Sequence, residues 1–333
     1  MTGKNLILAG DIGGTKTHLA LFSRDGDKLK TEVEKTFSSK EYSGLEPVLQ
    51  EFLSDQDSSI KSACFGVAGP VVEGSVKTPN LPWFIDGRQL ANTLNSSSVA
   101  LLNDLEAAAF GIFTLAPDEY LRLNEGILRR PGNKALIAAG TGLGEAILYD
   151  DERAYHPIAS EGGHADFAPR NELEIELLRY LISKFGHVSY ERVVSGPGIS
   201  NIYDFLRDSG RYDEPLWFKE KLAAGADRSA VISQAALAGE PEICVKTLDI
   251  FVSVYGAEAG NLALRAKAIG GVYVGGGIAP KIQSKLGDGS FMRDFVDKGR
   301  YHDFVSAIPV YVILNEKTAL QGAAYYAAFR SHG

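Results

Sequence analysis

Two polar residues that could exchange a proton with a substrate hydroxyl follow an apolar run near residue 100. The run Leu101-Leu102 ends in Asn103-Asp104. A carboxylate at the end of a strand can accept a proton from an attacking hydroxyl group. The same segment also fits a helix start, because Asn103 with Glu106 three residues later is a capping-box pattern. Both roles can coexist, since a cap needs only one of the two adjacent side chains.

Two further acidic positions and a histidine suit a ligand rich in hydroxyl groups. In Glu161-Gly-Gly-His164, a carboxylate and an imidazole flank two glycines that remove bulk. Both side chains form hydrogen bonds with neighbouring hydroxyl groups, although a polar turn has the same composition. Glu191, which we expect to begin a helix after Ser189, has the pattern of a solvated or capping acid when taken alone.

The segment Asp11-Ile-Gly-Gly-Thr-Lys16 indicates phosphate binding. Two glycines between strands let backbone N–H groups converge on an anion. Asp11 suits such a loop only if a cation lies between it and the phosphates, and Mg²⁺ bound to ATP is such a cation, usually held through water. The segment is one residue away from a P-loop, but a strand pattern follows it, which excludes that motif. A hairpin turn without a ligand is the alternative.

The opening pattern recurs at 134–149. An apolar strand, Ala-Gly, a polar residue and a glycine-rich turn appear again in Gly140-Thr-Gly-Leu-Gly144. Such a repeat predicts two related domains, whose hairpins could hold one polyphosphate. A third glycine run, Gly275-Gly-Gly277, follows an apolar strand and permits close approach of a flat ligand such as adenine. Chance similarity of short hairpins and a tight strand-to-helix turn are the alternatives.

The elements that must position these residues alternate between strands and helices, which predicts an α/β fold. Helical spacing is found at 44–53, Leu105–Ile112, 171–185, 199–207, 228–238, 242–268 and Thr318–Arg330. Strand patterns are found at Leu6–Ala9, Thr17–Phe22, Val33–Phe37, Ile60–Val67, Val99–Leu102, within 134–149, and at Gly270–Gly277 and Ile308–Leu314. We expect the last helix to pack on the first domain. The segment 114–133 is rich in Pro, Gly and charge and is a candidate boundary.

Composition excludes several classes of protein. The formal net charge of −8, from 34 basic and 42 acidic residues, disfavours a nucleic-acid partner. No stretch reaches the roughly 18 apolar residues that span a membrane, and we expect no signal peptide. Two cysteines distant in sequence, Cys64 and Cys244, fit a reduced protein. The expected location is therefore the cytoplasm.

Taken together, these motifs resemble the bacterial-type glucokinase family nearly from end to end. They occur in the family's order: Gly10-Asp-Ile-Gly-Gly-Thr15, Phe65-Gly-Val-Ala-Gly-Pro70, Asn103-Asp104, Gly140-Thr-Gly-Leu-Gly144, Glu161-Gly-Gly-His164, Glu191-Arg-Val-Val-Ser-Gly-Pro-Gly198 and Gly275-Gly-Gly277. The resemblance implies ATP-dependent phosphorylation of glucose at its 6-hydroxyl, the first step of glycolysis, by a homodimer. It also implies Mg²⁺ as cofactor.

The resemblance assigns a role to each motif. The implied catalytic base is Asp104. The residues implied to bind glucose are Asn103, Asp104, Glu161, His164 and Glu191. The residues implied to bind ATP are Gly10, Asp11, Ile12, Gly13, Gly14, Thr15, Thr141, Gly142 and Gly276. The metal has no direct protein ligand, and Asp11 lies near it through water.

The implied fold is the two-domain actin-like ATPase (ribonuclease-H-like) fold, with the active site in the interdomain cleft. The expected division is a small α/β domain, 1–113 plus 315–333, and a large α/β domain, 114–314. We expect no zinc, because Ala165-Asp-Phe-Ala-Pro-Arg170 stands where the related repressor/kinase group carries a zinc-binding cysteine cluster. The alternatives are a kinase for another hexose, a non-catalytic sugar-binding sensor and another actin-like ATPase. A donor other than ATP stays open.

Overall fold

A computed structural model of the protein describes residues 6–56, 59–96, 98–224 and 227–330. These residues form two compact units. Unit 1 comprises residues 1–116 and 317–333, and unit 2 comprises residues 117–316. The chain therefore leaves unit 1 once and returns to it for the final helix. No helix within the described ranges combines the length and the apolar character needed to cross a membrane.

Strands and helices alternate through most of the chain. The strands are β1 (Leu6–Ile12), β2 (Lys16–Asp25), β3 (Lys28–Ser38), β4 (Ile60–Val67), β5 (Ser75–Lys77), β6 (Phe84–Asp86), β7 (Val99–Asn103), β8 (Tyr120–Arg122), β9 (Lys134–Ala139), β10 (Leu143–Asp150), β11 (Tyr155–Ser160), β12 (Val272–Gly275) and β13 (Val310–Ile313). The helices are α1 (Leu45–Leu53), α2 (Gly87–Leu94), α3 (Asp104–Gly111), α4 (Glu172–Phe185), α5 (Gly196–Asp208), α6 (Leu216–Ala224), α7 (Arg228–Ala238), α8 (Glu242–Ala266), α9 (Gln283–Leu286), α10 (Ser290–Val296), α11 (His302–Ser306) and α12 (Thr318–Phe329).

The main sheets of the two units share one strand order. In unit 1 the order is β3-β2-β1-β4-β7, with β3, β2 and β1 antiparallel and β1, β4 and β7 parallel. In unit 2 the order β11-β10-β9-β12-β13 has the same directions, and β8 adds an antiparallel strand at the edge. The repeat predicted from the two glycine-rich hairpins is therefore confirmed in the topology of both sheets.

The sheet of unit 1 is covered by helices on both faces. Successive side chains of a strand point to opposite faces, and β1 follows this rule. Leu8 is buried with the helices α1 and α2, whereas Ile7 and Ala9 are buried with α3 and α12. The predicted closing helix thus packs on the first unit. Burial on both faces fixes the register of β1, and with it the position of Asp11 near its end.

The core of unit 2 is organised around α8. This helix of 25 residues is buried along most of its length. Its Tyr255 hydroxyl lies between the ends of β9 and β12, where it accepts from the Ala139 amide and donates toward the Gly275 carbonyl. One buried side chain therefore ties together the two strands that lead into the glycine-rich turns.

Several segments differ from the sequence-based expectation. The prediction of a helix after Ser189 is wrong, because Tyr190–Arg192 forms only a three-residue 3₁₀ turn. The helix predicted at 199–207 begins earlier, at Gly196, with Pro in its first turn. The candidate boundary 114–133 contributes β8 to the sheet of unit 2. Three elements were not predicted from the sequence: the hairpin of β5 and β6, the helix α2 and the edge strand β11.

Candidate active site

The carboxyl ends of three parallel strands bring the acidic residues of unit 1 together. Asp11 on β1 lies opposite Gly66 on β4, and the next residue of β4, Val67, lies opposite Asn103 on β7. Asp104 follows as the first residue of α3. A Cβ on Gly66 would lie only 2.8 Å from the Ala107 Cβ, so this strand position needs glycine. In open α/β sheets, ligands bind at such carboxyl ends.

Asn103 caps α3, and Asp104 is exposed in its first turn. The Leu105 amide donates to Asn103 Oδ1 and to Asp104 Oδ1, each at 2.9 Å. The Asn103 amide donates to Glu106 Oε2 at 3.1 Å, which completes the predicted capping box. Asn103 Nδ2 donates to the Gly69 carbonyl. The cap and an outward-facing carboxylate therefore coexist, as the spacing had allowed.

The carboxylates of Asp11 and Asp104 are close enough to interact. Burial, and then the carboxylate of Asp104, raise the pKa of Asp11 to about 6. Two carboxylates that repel each other are stabilised by a positive charge between or near them. Their oxygens are also the ligand type that Mg²⁺ prefers. The chemistry of this pair fits a hydrated Mg²⁺ ion.

The first glycine-rich turn is closed by backbone bonds and by a serine from outside the motif. The Gly13 amide donates to the Lys16 carbonyl at 2.9 Å. Ser39 is buried; its hydroxyl donates to the Gly13 carbonyl at 2.8 Å and its amide to the Thr15 carbonyl at 2.9 Å. Sequence reasoning missed Ser39, because it lies 26 residues from the turn and no motif marks it.

The glycine-rich turns of unit 2 lie at adjoining strand ends. Gly140, Thr141 and Gly142 connect β9 to β10, and the Gly196 amide at the start of α5 donates to the Gly140 carbonyl at 2.8 Å. Gly276 follows β12, the parallel neighbour of β9. Its φ is +83°, and a Cβ there would lie 2.3 Å from the Ala139 carbonyl oxygen, so no other residue type fits without movement. Thr141 is exposed.

Three residues expected to contact sugar are close together in unit 2. His164 Nε2 lies 3.9 Å from Glu161 Oε2, and His164 Nδ1 lies 4.0 Å from Glu191 Oε1. Glu161 precedes the 3₁₀ turn Gly162–His164, and Glu191 lies within the turn Tyr190–Arg192. The side chains of Glu161 and His164 are largely exposed, whereas that of Glu191 is 30% exposed.

Glu191 also holds the glycine-rich turn between β9 and β10 of the same unit. Its Oε2 accepts a hydrogen bond from the Leu143 amide at 3.0 Å. A Cβ on Gly142 would lie 2.4 Å from this oxygen, so glycine is needed for the carboxylate to reach the backbone. The sequence alone suggested a solvated or capping acid. The structure shows that one carboxylate joins the second hairpin to the Glu161–His164 group.

The comparison with known proteins agrees with this geometry. A sequence profile described as Glucokinase matches residues 8–330. A glucokinase of Nostoc sp. is 43% identical over 338 residues, which cover 97% of this chain and 99% of that protein. The chain belongs to the glucokinase family. The predicted family, and with it the predicted type of enzyme, are confirmed.

Solved glucokinase structures confirm the fold. The structure of a glucokinase from an Antarctic psychrotroph matches with a TM-score of 0.87 at 31% identity, covering 97% of this chain and 99% of that one. A glucokinase from Balamuthia mandrillaris, in complex with glucose, matches with a TM-score of 0.78 at 20% identity, covering 97% and 94%. This member of the glucokinase family thus has the predicted two-domain actin-like ATPase fold.

The predicted site residues of this glucokinase-family enzyme form one group in each unit. In unit 1 these are Gly10, Asp11, Ile12, Gly13, Gly14, Thr15, Asn103 and Asp104. In unit 2 they are Thr141, Gly142, Glu161, His164, Glu191 and Gly276. Among the residues that the structure describes, no three His, Cys, Asp or Glu side chains form a metal-ligand cluster. The individual roles of these residues stay predictions.

Proposed function

We propose that this protein transfers the γ-phosphoryl group of ATP to the 6-hydroxyl of glucose, giving glucose 6-phosphate and ADP. The observation that carries the proposal is the placement of Asp104. Its carboxylate is exposed at the carboxyl ends of parallel strands, beside Asp11 and in the same unit as the Gly13–Gly14 turn. A base next to a phosphate-binding turn suits phosphoryl transfer to a hydroxyl group.

Asp104 is the proposed general base. The Leu105 amide donates to Asp104 Oδ1, and this bond limits rotation of the carboxylate at the start of α3. Asp104 would orient the 6-hydroxyl and accept its proton while the oxygen attacks the γ-phosphorus. The leaving oxygen stays on ADP.

The sugar's other hydroxyl groups have partners of complementary type. Asn103 Nδ2 carries two N–H donors, of which one bonds to Gly69, so the second can donate to a sugar oxygen. Glu161 and Glu191 accept hydrogen bonds from hydroxyl groups, and His164 can donate or accept. We propose these four residues, together with Asp104, as the glucose contacts.

The glycine-rich turns are the proposed ATP contacts. In unit 1, the backbone of Gly10–Thr15 and the Thr15 hydroxyl would donate to phosphate oxygens. In unit 2, Thr141 and Gly142 would make the second phosphate contact, and Gly276 would border the adenosine. Backbone donors at tight turns bind anions without obstruction by side chains. Among alternative donors, ADP or polyphosphate would use the same turns.

A hydrated Mg²⁺ ion that arrives with ATP fits the Asp11–Asp104 pair. Asp11 would hold it through water, and the positive ion would offset the burial and the Asp104 charge that together raise the pKa of Asp11 to about 6. When bound, Mg²⁺ supplies neutralisation of the charge on the transferred phosphoryl group. The remaining work of this chain is to position the two substrates and to hold the proton at Asp104.

We further propose that the enzyme is a cytoplasmic homodimer. Cys64 and Cys244 are free and buried, and burial raises the pKa of both thiols, that of Cys244 to about 12. Unreactive reduced thiols suit a reducing compartment. The dimer is the state that the family resemblance implies, and light scattering on the purified protein would measure it.

The decisive test follows ADP release from Mg²⁺-ATP with a panel of hexoses. We expect glucose to be turned over well above fructose, mannose and N-acetylglucosamine. Activity with a different sugar would keep the ATP turns and reassign the sugar contacts. A protein that is stabilised against heat by a sugar, yet releases no ADP with any of them, would be a sensor and would overturn the proposed reaction.

A further inference from the structure

Two segments of unit 2 carry proposed glucose contacts: residues 161–164, with Glu161 and His164, and residues 190–192, with Glu191. A cluster of buried polar groups lies next to these sugar-contact segments. Glu145 on β10 is 1% exposed, and Glu258 on α8 is 0% exposed. Two carboxyl groups are seldom buried together without a compensating charge or proton. Arg265 supplies one positive charge: its Nη1 lies 2.6 Å from Glu258 Oε1 and 3.8 Å from Glu145 Oε2.

The hydrogen bonds in this cluster leave one carboxyl oxygen without a donor. Both oxygens of Glu258 accept hydrogen bonds, Oε1 from Arg265 and Oε2 from Asn261. Glu145 Oε1 is buried and has no hydrogen-bond partner among the residues that the structure describes. A proton on Glu145 resolves this, because a carboxylic acid can donate to the neighbouring Glu258.

The electrostatics of the cluster agree with a shared proton. Burial raises the pKa of Glu145 to about 8, the negative charge of Glu258 adds to the shift, and Arg265 partly opposes it. The raised pKa favours a proton on Glu145, which reduces the negative charge that the pair buries beside Arg265. A proton shared between the two groups gives the buried Glu145 oxygen a hydrogen bond that it otherwise lacks.

Both sugar-contact segments rest on this pair. A Cβ on Gly162 would lie 2.3 Å from Glu145 Oε2, so the backbone between Glu161 and His164 packs against the Glu145 carboxyl group. On the other side, the Tyr190 hydroxyl lies beside Glu258 and accepts from Asn261 Nδ2 at 3.1 Å. Tyr190 directly precedes Glu191 in the chain. The cluster thus supports the backbone next to all three proposed contacts.

We propose that protonated Glu145, through its hydrogen bond with Glu258, is a positioning residue that holds Glu161, His164 and Glu191 in their glucose-binding arrangement. This inference rests on the proposed function, since it assigns glucose to that site. Glu145 itself does not touch the substrate. It acts through Gly162, and Glu258 acts through Tyr190.

The proposal predicts a pH dependence with a defined sign. The groups that face the pair are Arg265, Tyr190 and Tyr255, with Lys298 close to Glu258. The pKa of Glu145 is raised from 4.5 to about 8 on folding. The folded state therefore binds more protons than the unfolded state between these values, so stability falls as the pH rises through this window. Above it, Glu145 is ionised and the support is lost.

The test compares Glu145→Gln and Glu145→Ala with the wild type. At pH 7, Gln can donate to Glu258 as the acid does, so we expect the KM for glucose of E145Q to stay within about twofold of wild type. Ala removes the donor to Glu258 and the carboxyl group against which Gly162 packs, and we expect its KM for glucose to rise about tenfold. Rescue by the isosteric amide separates a hydrogen-bonding role from simple space filling.

The pH profile supplies the second readout. We expect the wild-type KM for glucose to rise between pH 7 and about pH 9, and that of E145Q to stay nearly constant, because an amide does not ionise in this range. Parallel profiles for the two proteins, or an E145Q enzyme as impaired as E145A at pH 7, would overturn the proposal.

Failure of the proposed function would look different. A wild type that does not phosphorylate glucose would overturn the function, and the state of Glu145 would then be read from thermal unfolding without ligands. We expect the wild-type Tm to fall relative to that of E145Q as the pH is raised from about 5 to about 8. Equal pH dependence of the two Tm values would overturn the protonated pair and the inference with it.

Discussion

The two glycine-rich hairpins have the same topology but are held by different chemistry. In unit 1, the turn between β1 and β2 is closed by Ser39, a neutral side chain that donates to a backbone carbonyl. In unit 2, the turn between β9 and β10 is held by Glu191, a carboxylate that accepts from a backbone amide. A repeated strand order therefore does not dictate a repeated set of polar contacts.

The different ways in which the two turns are held suggest different functions for the two units. The turn of unit 1 is held without a charge, and the nearby carboxylates of Asp11 and Asp104 are the groups proposed to act on a cation and on a proton. In unit 2, the carboxylate of Glu191 holds the turn and is also a proposed sugar contact, so the proposed phosphate turn and the proposed sugar contacts share one residue. Unit 1 is expected to govern the chemical step, and unit 2 the coupling of the two substrates.

The largest effect is expected from Asp104→Asn. Asn keeps the size of the side chain and can still accept from the Leu105 amide, but it cannot take the proton. We expect kcat to fall about 10²- to 10⁴-fold while the KM for glucose changes little. The matched control is Glu106→Gln, which alters a carboxylate of the same helix turn that only caps α3. An Asp104→Asn enzyme with near wild-type kcat would exclude Asp104 as the base.

The next largest effect is expected from Glu191→Ala, which tests whether unit 2 couples the binding of glucose to that of ATP. Glu191→Ala removes a proposed sugar contact and also leaves the Leu143 amide without its acceptor. We expect KM to rise about tenfold or more for both glucose and ATP, from the loss of about 1–3 kcal/mol of hydrogen bonding. Glu161→Ala is the control, because its exposed side chain lies near His164 and it should raise the KM for glucose alone. An unchanged KM for ATP in Glu191→Ala would break the proposed coupling.

Sequence reasoning succeeded where the signal was local. The capping box at Asn103 and Glu106 follows from a spacing of three residues, and the structure contains it. The two hairpins were predicted because an apolar strand, a glycine-rich turn and a second strand are contiguous in each copy. Periodicity likewise predicted most of the long helices, among them α8 and α12. The parallel order of the strands then brings Asp11 and Asp104 to one sheet edge.

What could not be predicted depends on contacts between distant segments. Glu191 meets the Leu143 amide across 48 residues, and no local pattern distinguishes it from a solvated acid. Ser39 looks like any serine at the end of an exposed strand. Glu145 follows a glycine-rich turn in an alternating strand, and only the packing of α8 against the sheet of unit 2 places Glu258 beside it. The short strands of the β5–β6 hairpin carry too few residues to show a period.

A smaller effect, on stability, tests whether Gly276 is required by the backbone. Gly276→Ala places a methyl group against the Ala139 carbonyl at a φ of +83°, so we expect a loss of about 1–3 kcal/mol in the free energy of unfolding. The adjacent Gly277 has open space around a Cβ and no left-handed φ, so Gly277→Ala should be nearly neutral. Urea unfolding of both variants measures the difference. Equal losses would show that the turn of unit 2 adapts freely.

The smallest effect is expected from Ser39→Ala, which completes the contrast between the hairpins. The hydroxyl donates to the Gly13 carbonyl and lies 3.0 Å from the buried Thr17 hydroxyl, so its removal should cost about 1–2 kcal/mol of stability. The backbone hydrogen bonds of the turn remain. Ser39, unlike Glu191, is not a proposed glucose contact, so the KM for glucose should not change. Ser38→Ala is the matched control, because Ser38 is exposed and makes no side-chain capping bond. If Ser39→Ala instead raised the KM for glucose as Glu191→Ala does, the turn of unit 1 would also be coupled to the sugar, and the division of work between the hairpins would be wrong.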